Sequence, residues 1–418
     1  MENKKIKILF APSDGAGVGH FRSIWPAQKI SEMFDSEVEV EINHDYVNDI
    51  NYYKQFDIVH FHRQIGPYET LEKFSKELRE SGTILIMDID DYWTPEKSHP
   101  MYHAAIKEKL AEKIIHAFKC VDYVTTTTDI FASHIKKYNP NVEVMPNALN
   151  MQEKQWQNDE FKPNDKVRFA FIGGSSHMAD IELMKSSMNI LNNDTSLTGK
   201  YQIVMCGYDV RGYTTEVGPN GEHLNTRKIE PKETIWNKFE EVFTDNYNPN
   251  IISPEYKKYL QKYVNKEYDK DIYNESFVRR WTLPLTRYGE HYNFCDVAMA
   301  PLVENTFNAV KSELKIIEAG LKNKVLIAQD FGIYKELIED GVNGLLVSTK
   351  DNTRGWYKAI KRLIEEPQLR KTLATNLNNF VKDKYVIETT CTERMKFYKK
   401  IIAENKQKHE IQPEPAIY

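Results

Sequence analysis

The sequence predicts an α/β protein built from two parallel-sheet domains in tandem. Three observations carry that prediction. The chain has 418 residues, about two ordinary domains, because single hydrophobic cores stop growing near roughly 250 to 300 residues. Short β-rich runs alternate with longer helical patterns, the signature of parallel strands joined by crossover helices. The pattern breaks at a polar stretch, residues 150–165, and then starts again.

In the first half, strands are expected at Ile6–Ala11, Val38–Ile42, Asp57–Phe61, Thr83–Met87, Tyr123–Thr126 and Val142–Met145. Helical composition and an apolar period near 3.6 mark Leu71–Arg79 and Tyr102–Phe118 between them. The first domain is therefore placed at residues 1–149, and the segment 150–165, with Pro163 among Gln, Asn and Lys, reads as a linker. The second domain, 166–385, opens on Val167–Ile172 and continues through Gln202–Cys206, Val297–Ala300, Val325–Ala328 and Leu345–Val347. Residues 210–285, dense in Tyr, Asn, Lys and Glu, are too long for an ordinary connection and read as an insertion carrying helices at Lys232–Phe243 and Pro254–Tyr263. A last helix is expected over 386–404, followed by a disordered tail over 405–418 with Pro413 and Pro415.

Composition narrows the function classes. Hydrophobic residues at 41% and charged residues at 28% suit a globular chain. A net charge of −5 provides no basic footprint for a phosphate backbone, so a nucleic-acid partner is not expected. The four cysteines, Cys120, Cys206, Cys295 and Cys391, are widely spaced, form no C-x-x-C pair and fit a reduced compartment. The apolar run at residues 6–11 ends at Pro12 and is too short for a signal sequence. No stretch approaches the roughly 18 apolar residues of a membrane span. A cytoplasmic setting, with at most peripheral contact at the inner face of the membrane, is the resulting expectation.

Five constellations could carry chemistry. Directly after the first strand, Gly15, Gly17 and Gly19 precede His20 and Arg22, where glycines let backbone N–H groups approach a phosphate or a sugar. The sixth position of the dinucleotide fingerprint G-x-G-x-x-G is His20 here, which argues against an oxidoreductase. The run Asp88-Ile89-Asp90-Asp91 follows a buried strand, and strand C-termini are where open α/β sheets place ligands. Carboxylates there would hydrogen-bond sugar hydroxyls, orient a base or hold a cation. At the end of another strand, His60 and His62 share one face by the period of two.

In the second half, Gly173, Gly174, Ser175 and His177 form another strand-to-helix glycine turn, with Asp180 in the following helix. The segment Phe307–Gly320 contains Asn308, Lys311, Ser312, Lys315 and Glu318. On one helix the spacings of four and three put Lys311, Lys315 and Glu318 on a common face. Two ammonium groups suit a diphosphate and a carboxylate suits paired ribose hydroxyls. Each constellation also has a plain structural reading: a tight turn, an Asp cap, a hydrogen-bonded histidine or a solvated Lys/Glu face.

The succession Asp296-Val297-Ala298-Met299-Ala300-Pro301-Leu302, Phe307-Asn308, Lys311-Ser312-x-x-Lys315-x-x-Glu318-Ala319-Gly320 and Gly332-Ile333-Tyr334-x-Glu336-x-Ile338-x-x-Gly341-x-x-Gly344 resembles the GT-B superfamily of glycosyltransferases. The likeness is greatest to its retaining, nucleotide-sugar branch that includes bacterial cell-surface polysaccharide transferases. It implies two Rossmann-like domains facing across a cleft. It also implies transfer of a sugar from a nucleoside diphosphate sugar, as co-substrate, to a glycan, lipid-linked or other hydroxyl acceptor, with no resident cofactor and no metal. In such enzymes the final glutamate of an E-x7-E pattern holds the ribose, which the resemblance carries onto Glu318; eight residues earlier this chain has Val310. Lys311 and Lys315 stand in for basic residues that relatives place after the first strand of the donor domain, where this chain has Gly174-Ser175-Ser176-His177.

Pro146-Asn147-Ala148-Leu149-Asn150 is similar to the turn that closes the family's first domain, and the helix near 386–402 to the one that returns to it. Their position at strand ends, rather than any motif of the family, places Asp88, Asp90, Asp91 and His60 at the catalytic centre. The donor set is Gly15, Gly17, Gly19, Gly173, Gly174, Ser175, His177, Asn308, Lys311, Ser312, Lys315 and Glu318, and His20, Arg22 and His62 lie on the acceptor side. The rival readings are a nucleotide-sugar epimerase of the same fold and a non-catalytic partner of another transferase.

Overall fold

The computed structural model describes residues 4–97, 99, 101–157, 164–209, 213–217, 223–229, 233–244 and 276–411. Its chain divides into two compact units, the first made of Met1–Met151, Asn305–Ile317 and Val381–Tyr418, the second of Gln152–Glu304 and Glu318–Phe380.

The first unit is a six-stranded sheet of β1 (Ile6–Ala11), β2 (Val38–Ile42), β3 (Ile58–His62), β4 (Ile84–Ile89), β5 (Tyr123–Thr126) and β6 (Val142–Val144). The order is β2-β1-β3-β4-β5-β6 and every pairing is parallel. Strands β3 and β4 are buried from end to end, so they read as continuous apolar runs rather than as alternation. The pleat still sorts their side chains: Ile8, Phe10, Ile58, Ile84 and Ile86 pack on one face with the helix Ile387–Ile411, while Leu9, Val59, Phe61, Leu85 and Met87 pack on the other.

The last helix in sequence thus completes the first unit, and it runs to Ile411 where a disordered tail was expected from residue 405. Asn405 is held there by donating to the Gly82 carbonyl at 2.9 Å. The helix expected over Tyr102–Phe118 is two, Tyr102–Lys107 and Leu110–Cys120, because Lys109 adopts a left-handed conformation at φ 51°.

The second unit contains β7 (Val167–Ile172), β8 (Tyr201–Tyr208), the antiparallel hairpin β9 (Tyr213–Val217) and β10 (His223–Lys228), then β11 (Phe277–Trp281), β12 (Val297–Ala300), β13 (Val325–Gln329) and β14 (Leu345–Val347). Its main sheet, β11-β8-β7-β12-β13-β14, is entirely parallel and has the doubly wound dinucleotide-fold order. Strand β11 corrects the reading of 210–285 as a pure insertion: residues 277–281 are an edge strand of the main sheet. Two consecutive arginines hid it, and Arg279 is accommodated by a buried ion pair with Glu240 on the helix Ile235–Thr244. The helix expected at Pro254–Tyr263, and residues 158–163 of the linker, lie outside the described residues. No helix among the described residues is long and apolar enough to cross a membrane.

Candidate active site

In an open parallel sheet the ligand crevice forms at the C-terminal strand edge where the strand order reverses. In the first unit that point lies between β1 and β3, and the chain following β1 is the glycine loop. Asp14 closes the loop by accepting from Ala16 N at 2.8 Å and Gly19 N at 3.2 Å. A Cβ on Gly19 would come within 1.9 Å of the Asp14 carbonyl oxygen, so this glycine is demanded by the loop's own packing. The helix that follows begins at Gly17–Gly19 and passes through a π-helical stretch, His20–Ile24, before continuing as Trp25–Met33. Such widened turns re-aim side chains, and here Arg22 points inward, 1% exposed.

Arg22 was expected at the acceptor, but its donors are consumed inside the domain. Nε and NH2 donate to the two Asp88 oxygens at 2.9 and 2.7 Å, and NH1 donates to the Met145 carbonyl at 2.7 Å and Asn147 Oδ1 at 3.1 Å. Asp88 also accepts from Thr125 Oγ1 at 2.6 Å. Burial alone would push its carboxyl up; the Arg22 charge and hydrogen bonds, with His62 and His60 adding, outweigh that and hold it well below the usual range.

His60 completes this buried chain, with Nε2 3.0 Å from Thr125 Oγ1 and Nδ1 2.7 Å from the Tyr398 hydroxyl. Since Thr125 spends its proton on Asp88, the imidazole carries its own on Nε2 and accepts from Tyr398 at Nδ1. Burial, opposed by Asp88 and reinforced by Arg394 and Arg22, pushes its pKa down to about 3, so it is neutral. Asp88 and His60, expected at the catalytic centre, are 1% and 2% exposed and form the foundation beneath the site.

Above them, His62, Asp90 and Asp91 do come together. Ser13 Oγ lies 2.7 Å from His62 Nδ1, and His62 Nε2 lies 3.0 Å from Asp90 Oδ1. Arg63 donates to Asp90 Oδ1 at 2.8 Å and Asp91 Oδ2 at 3.0 Å. Asp90 is held well below the usual carboxylate range: burial raises it, and the charges of Arg63 and His62 more than reverse the effect. Sequence reasoning did not single out Arg63 or Ser13. The sign that marks Arg63, a left-handed backbone at φ 59° on a non-glycine residue, is a tertiary feature.

Residues 305–317 belong to the same unit. Asn305 caps the short helix Thr306–Ala309 by accepting from Asn308 N, and the chain then turns through 310–313 before the helix Leu314–Leu321. Lys311 therefore stands in the turn and not on one helix face with Lys315 and Glu318. Its ammonium is 5.8 Å from the Phe307 ring centroid, close enough to Asp91 to act on it electrostatically. Ser312 and Lys315 are part-exposed and Asn308 is 5% exposed. Val310, where an acid was expected from the family pattern, is fully buried in the first unit's hydrophobic cluster.

Glu313, which sequence reasoning passed over, is 2% exposed. Its Oε1 accepts from Asn147 N at 2.7 Å and its Oε2 has no hydrogen-bond partner among the described residues. Burial pushes its pKa up to about 7, against the Asn147 hydrogen bond and the charges of Arg22 and Lys384.

The second unit has its own strand-order reversal, between β7 and β12. Gly174, Ser175 and Ser176 are exposed there, next to the part-buried Gly173. Asp180 ties the two loops together, with Oδ2 2.8 Å from His177 Nδ1 and Oδ1 accepting from Val303 N at 2.8 Å. Glu318 is enclosed, 0% exposed, and its Oε2 accepts from the Tyr292 hydroxyl at 2.7 Å. A ribose would have to displace Tyr292 to reach that oxygen. Among the described residues there is no group of three His, Cys, Asp or Glu placed to hold a metal ion.

Residues 251–366 match the family model described as "Glycosyl transferases group 1". That segment is of the glycosyl transferase group 1 type. Solved structures share the fold. Sucrose-phosphate synthase from Thermosynechococcus elongatus is similar at a TM-score of 0.58, with 12% identity over 96% of this chain and 100% of that one. A glycosyltransferase from Rickettsia africae follows at 0.56, with 13% identity over 96% and 99%. HepE of Anabaena, solved in complex with UDP, aligns at 0.55, with 12% identity over 95% and 100%. No curated protein matches the sequence. The matched segment contains both the Lys311 turn and Glu318.

Proposed function

We propose that this chain is a GT-B glycosyltransferase that moves a sugar from a UDP-sugar to an acceptor hydroxyl, with retention of configuration, in the synthesis of a glycan or cell-surface polysaccharide. The observation that carries the donor reading is the glycosyl transferase group 1 match over 251–366, which includes Lys311, Ser312, Lys315 and Glu318. The choice of uridine rests on the fold-mate HepE, which has been solved with UDP and with UDP-glucose.

On this reading the exposed Gly174–Ser176 turn receives the nucleotide, and Glu318 binds the ribose by exchanging its Tyr292 partner for a ribose hydroxyl. Lys311, Lys315 and the N-terminal N–H groups of the helix Leu314–Leu321 stabilise the departing diphosphate. That cationic set takes the place a metal ion fills in other transferases, and no further cofactor is required. The His62, Arg63, Asp90 and Asp91 cluster positions the transferred sugar, with His60, Arg22 and Asp88 holding it from below. The enzyme acts in the cytoplasm, at most peripherally on the membrane.

The test is thermal denaturation with UDP, GDP, ADP and CDP, followed by hydrolysis of the corresponding sugar donors. UDP is expected to raise the melting temperature most, and UDP-sugar to be consumed. Absence of any nucleotide shift would overturn the donor reading. Glu318→Ala with unchanged UDP binding would overturn the ribose assignment alone.

A further inference from the structure

A cavity of the first unit, about 490 Å3, opens beside the switch point between the ends of β1, β2 and β3. That volume lies within the range of small-molecule sites, about 300 to 1,000 Å3. We propose that it is the acceptor subsite and that its ligand is a neutral saccharide ring, stacked on Tyr46 and hydrogen-bonded by Asp45 and its neighbours. This inference rests on the transferase reading above and specifies the class of acceptor.

The wall of the cavity is an aromatic plate set in advance. Tyr46 is 41% exposed, yet its ring is fixed on two sides. It stacks on Tyr53 with centroids 6.3 Å apart and planes at 27°, and its edge fills the space above Gly66. Gly66 has φ +62°, and a Cβ there would come within 2.5 Å of the Tyr46 ring, so only glycine seats the ring in that place. The loop carrying Tyr46 is also fixed: Asn43 Oδ1 accepts from Asp45 N at 3.0 Å, Asn43 Nδ2 donates to the Tyr52 hydroxyl at 2.9 Å, and Val47 N donates to the Tyr53 hydroxyl at 2.9 Å. An exposed aromatic held in this way loses little entropy on binding.

The chemistry of the lining selects among ligands. Asp45, His44 and Gln64 are exposed at the cavity, and Ser13 lines it. No Lys or Arg occurs among the described lining residues, and the one acidic side chain is that of Asp45. A diphosphate or other anion is repelled. A polyol supplies both hydroxyl donors for a carboxylate and an amide and C–H faces for an aromatic ring. Ser13 joins the cavity to the proposed centre, since its hydroxyl also meets His62 at 2.7 Å. A sugar on Tyr46 would therefore lie next to the residues that position the donor sugar.

Saturation-transfer NMR on the full chain, without donor, tests the site directly with methyl glycosides of glucose, galactose, mannose, N-acetylglucosamine and rhamnose. Ring-proton transfer is expected from at least one glycoside, lost in Tyr46→Ala, retained in Tyr46→Trp and lost again in Gly66→Ala. With a UDP-sugar as donor, Tyr46→Ala is expected to raise the acceptor KM about tenfold, more than it lowers kcat. If Tyr46→Ala does not fold, Asp45→Asn on the exposed rim carries the same expectation for KM. Saccharides that neither bind nor accept sugar, or a Tyr46→Ala protein with wild-type KM, would overturn the subsite even where UDP still stabilises the chain. Saccharide binding in a chain that ignores every nucleotide would instead leave the subsite standing and remove the transferase reading.

Discussion

Glu313 is a carboxylic acid whose folded pKa of about 7 lies above its ordinary 4.5, burial being the main cause. Its contribution to stability is therefore complete below about pH 4.5 and is lost as pH rises through about 7, an amount on the order of 3 kcal/mol. Wild type and Glu313→Gln share every other titrating group, so the difference between their urea-unfolding free energies isolates this one. That difference is expected to move against wild type between pH 4.5 and 8; a flat difference would show that Glu313 does not titrate there. Arg22 and Asp88 make the opposite case, a buried ion pair with every strong donor matched. Removing one partner leaves the other uncompensated, and Arg22→Ala is expected to cost about 3 to 5 kcal/mol in the same measurement. At this scale the sequence showed which residues cluster but not their order from the solvent inward. The apolar run Thr83–Met87 placed Asp88 at a strand end; only its neighbours on β5 and on the helix after β1 decided that it faces Thr125 and Arg22.

Two elements near the proposed centre have shapes that single residues control. A methyl group on Gly19 would meet the Asp14 carbonyl at 1.9 Å, so Gly19→Ala is expected to displace the loop after β1 and lower transfer at least tenfold. Turnover measured beside far-UV dichroism checks this, because the sheet behind the loop should stay intact. The turn 310–313 separates Lys311 from the helix that bears Lys315, so the two ammonium groups approach from different elements. Each Lys→Ala change is expected to weaken UDP binding about tenfold by calorimetry, with smaller losses at high salt. Helix periodicity joined these residues into one face because the segment has good helical composition throughout. In the structure the chain turns between the helices Thr306–Ala309 and Leu314–Leu321, with Val310 buried in the first unit's cluster.

At the scale of the whole molecule, the first unit closes with residues that come last in the chain. Ile387, Cys391, Met395, Tyr398 and Ile401 cover the face of the sheet made by Ile8, Phe10, Ile58 and Ile86, and Tyr398 holds His60. Truncation before Ile387 is expected to abolish cooperative unfolding of that unit and to expose dye-binding apolar surface, although residues 1–151 remain whole. Retention of a sharp transition would show that the sheet can cover this face by itself. The α/β class, the two domains and most of the strands were legible in the amino-acid order, because burial and the two backbone periods are local properties that each segment writes in its own composition. That order also marked the Phe307–Gly320 segment, whose spacing is likewise local. Long-range packing was needed to put β11 in the second sheet, Arg22, Asp88 and His60 beneath the site, and Tyr46 over Gly66. Those outcomes depend on pairings between residues tens to hundreds of positions apart, and the free energy of a buried charge or a seated ring exists only once both partners are in place.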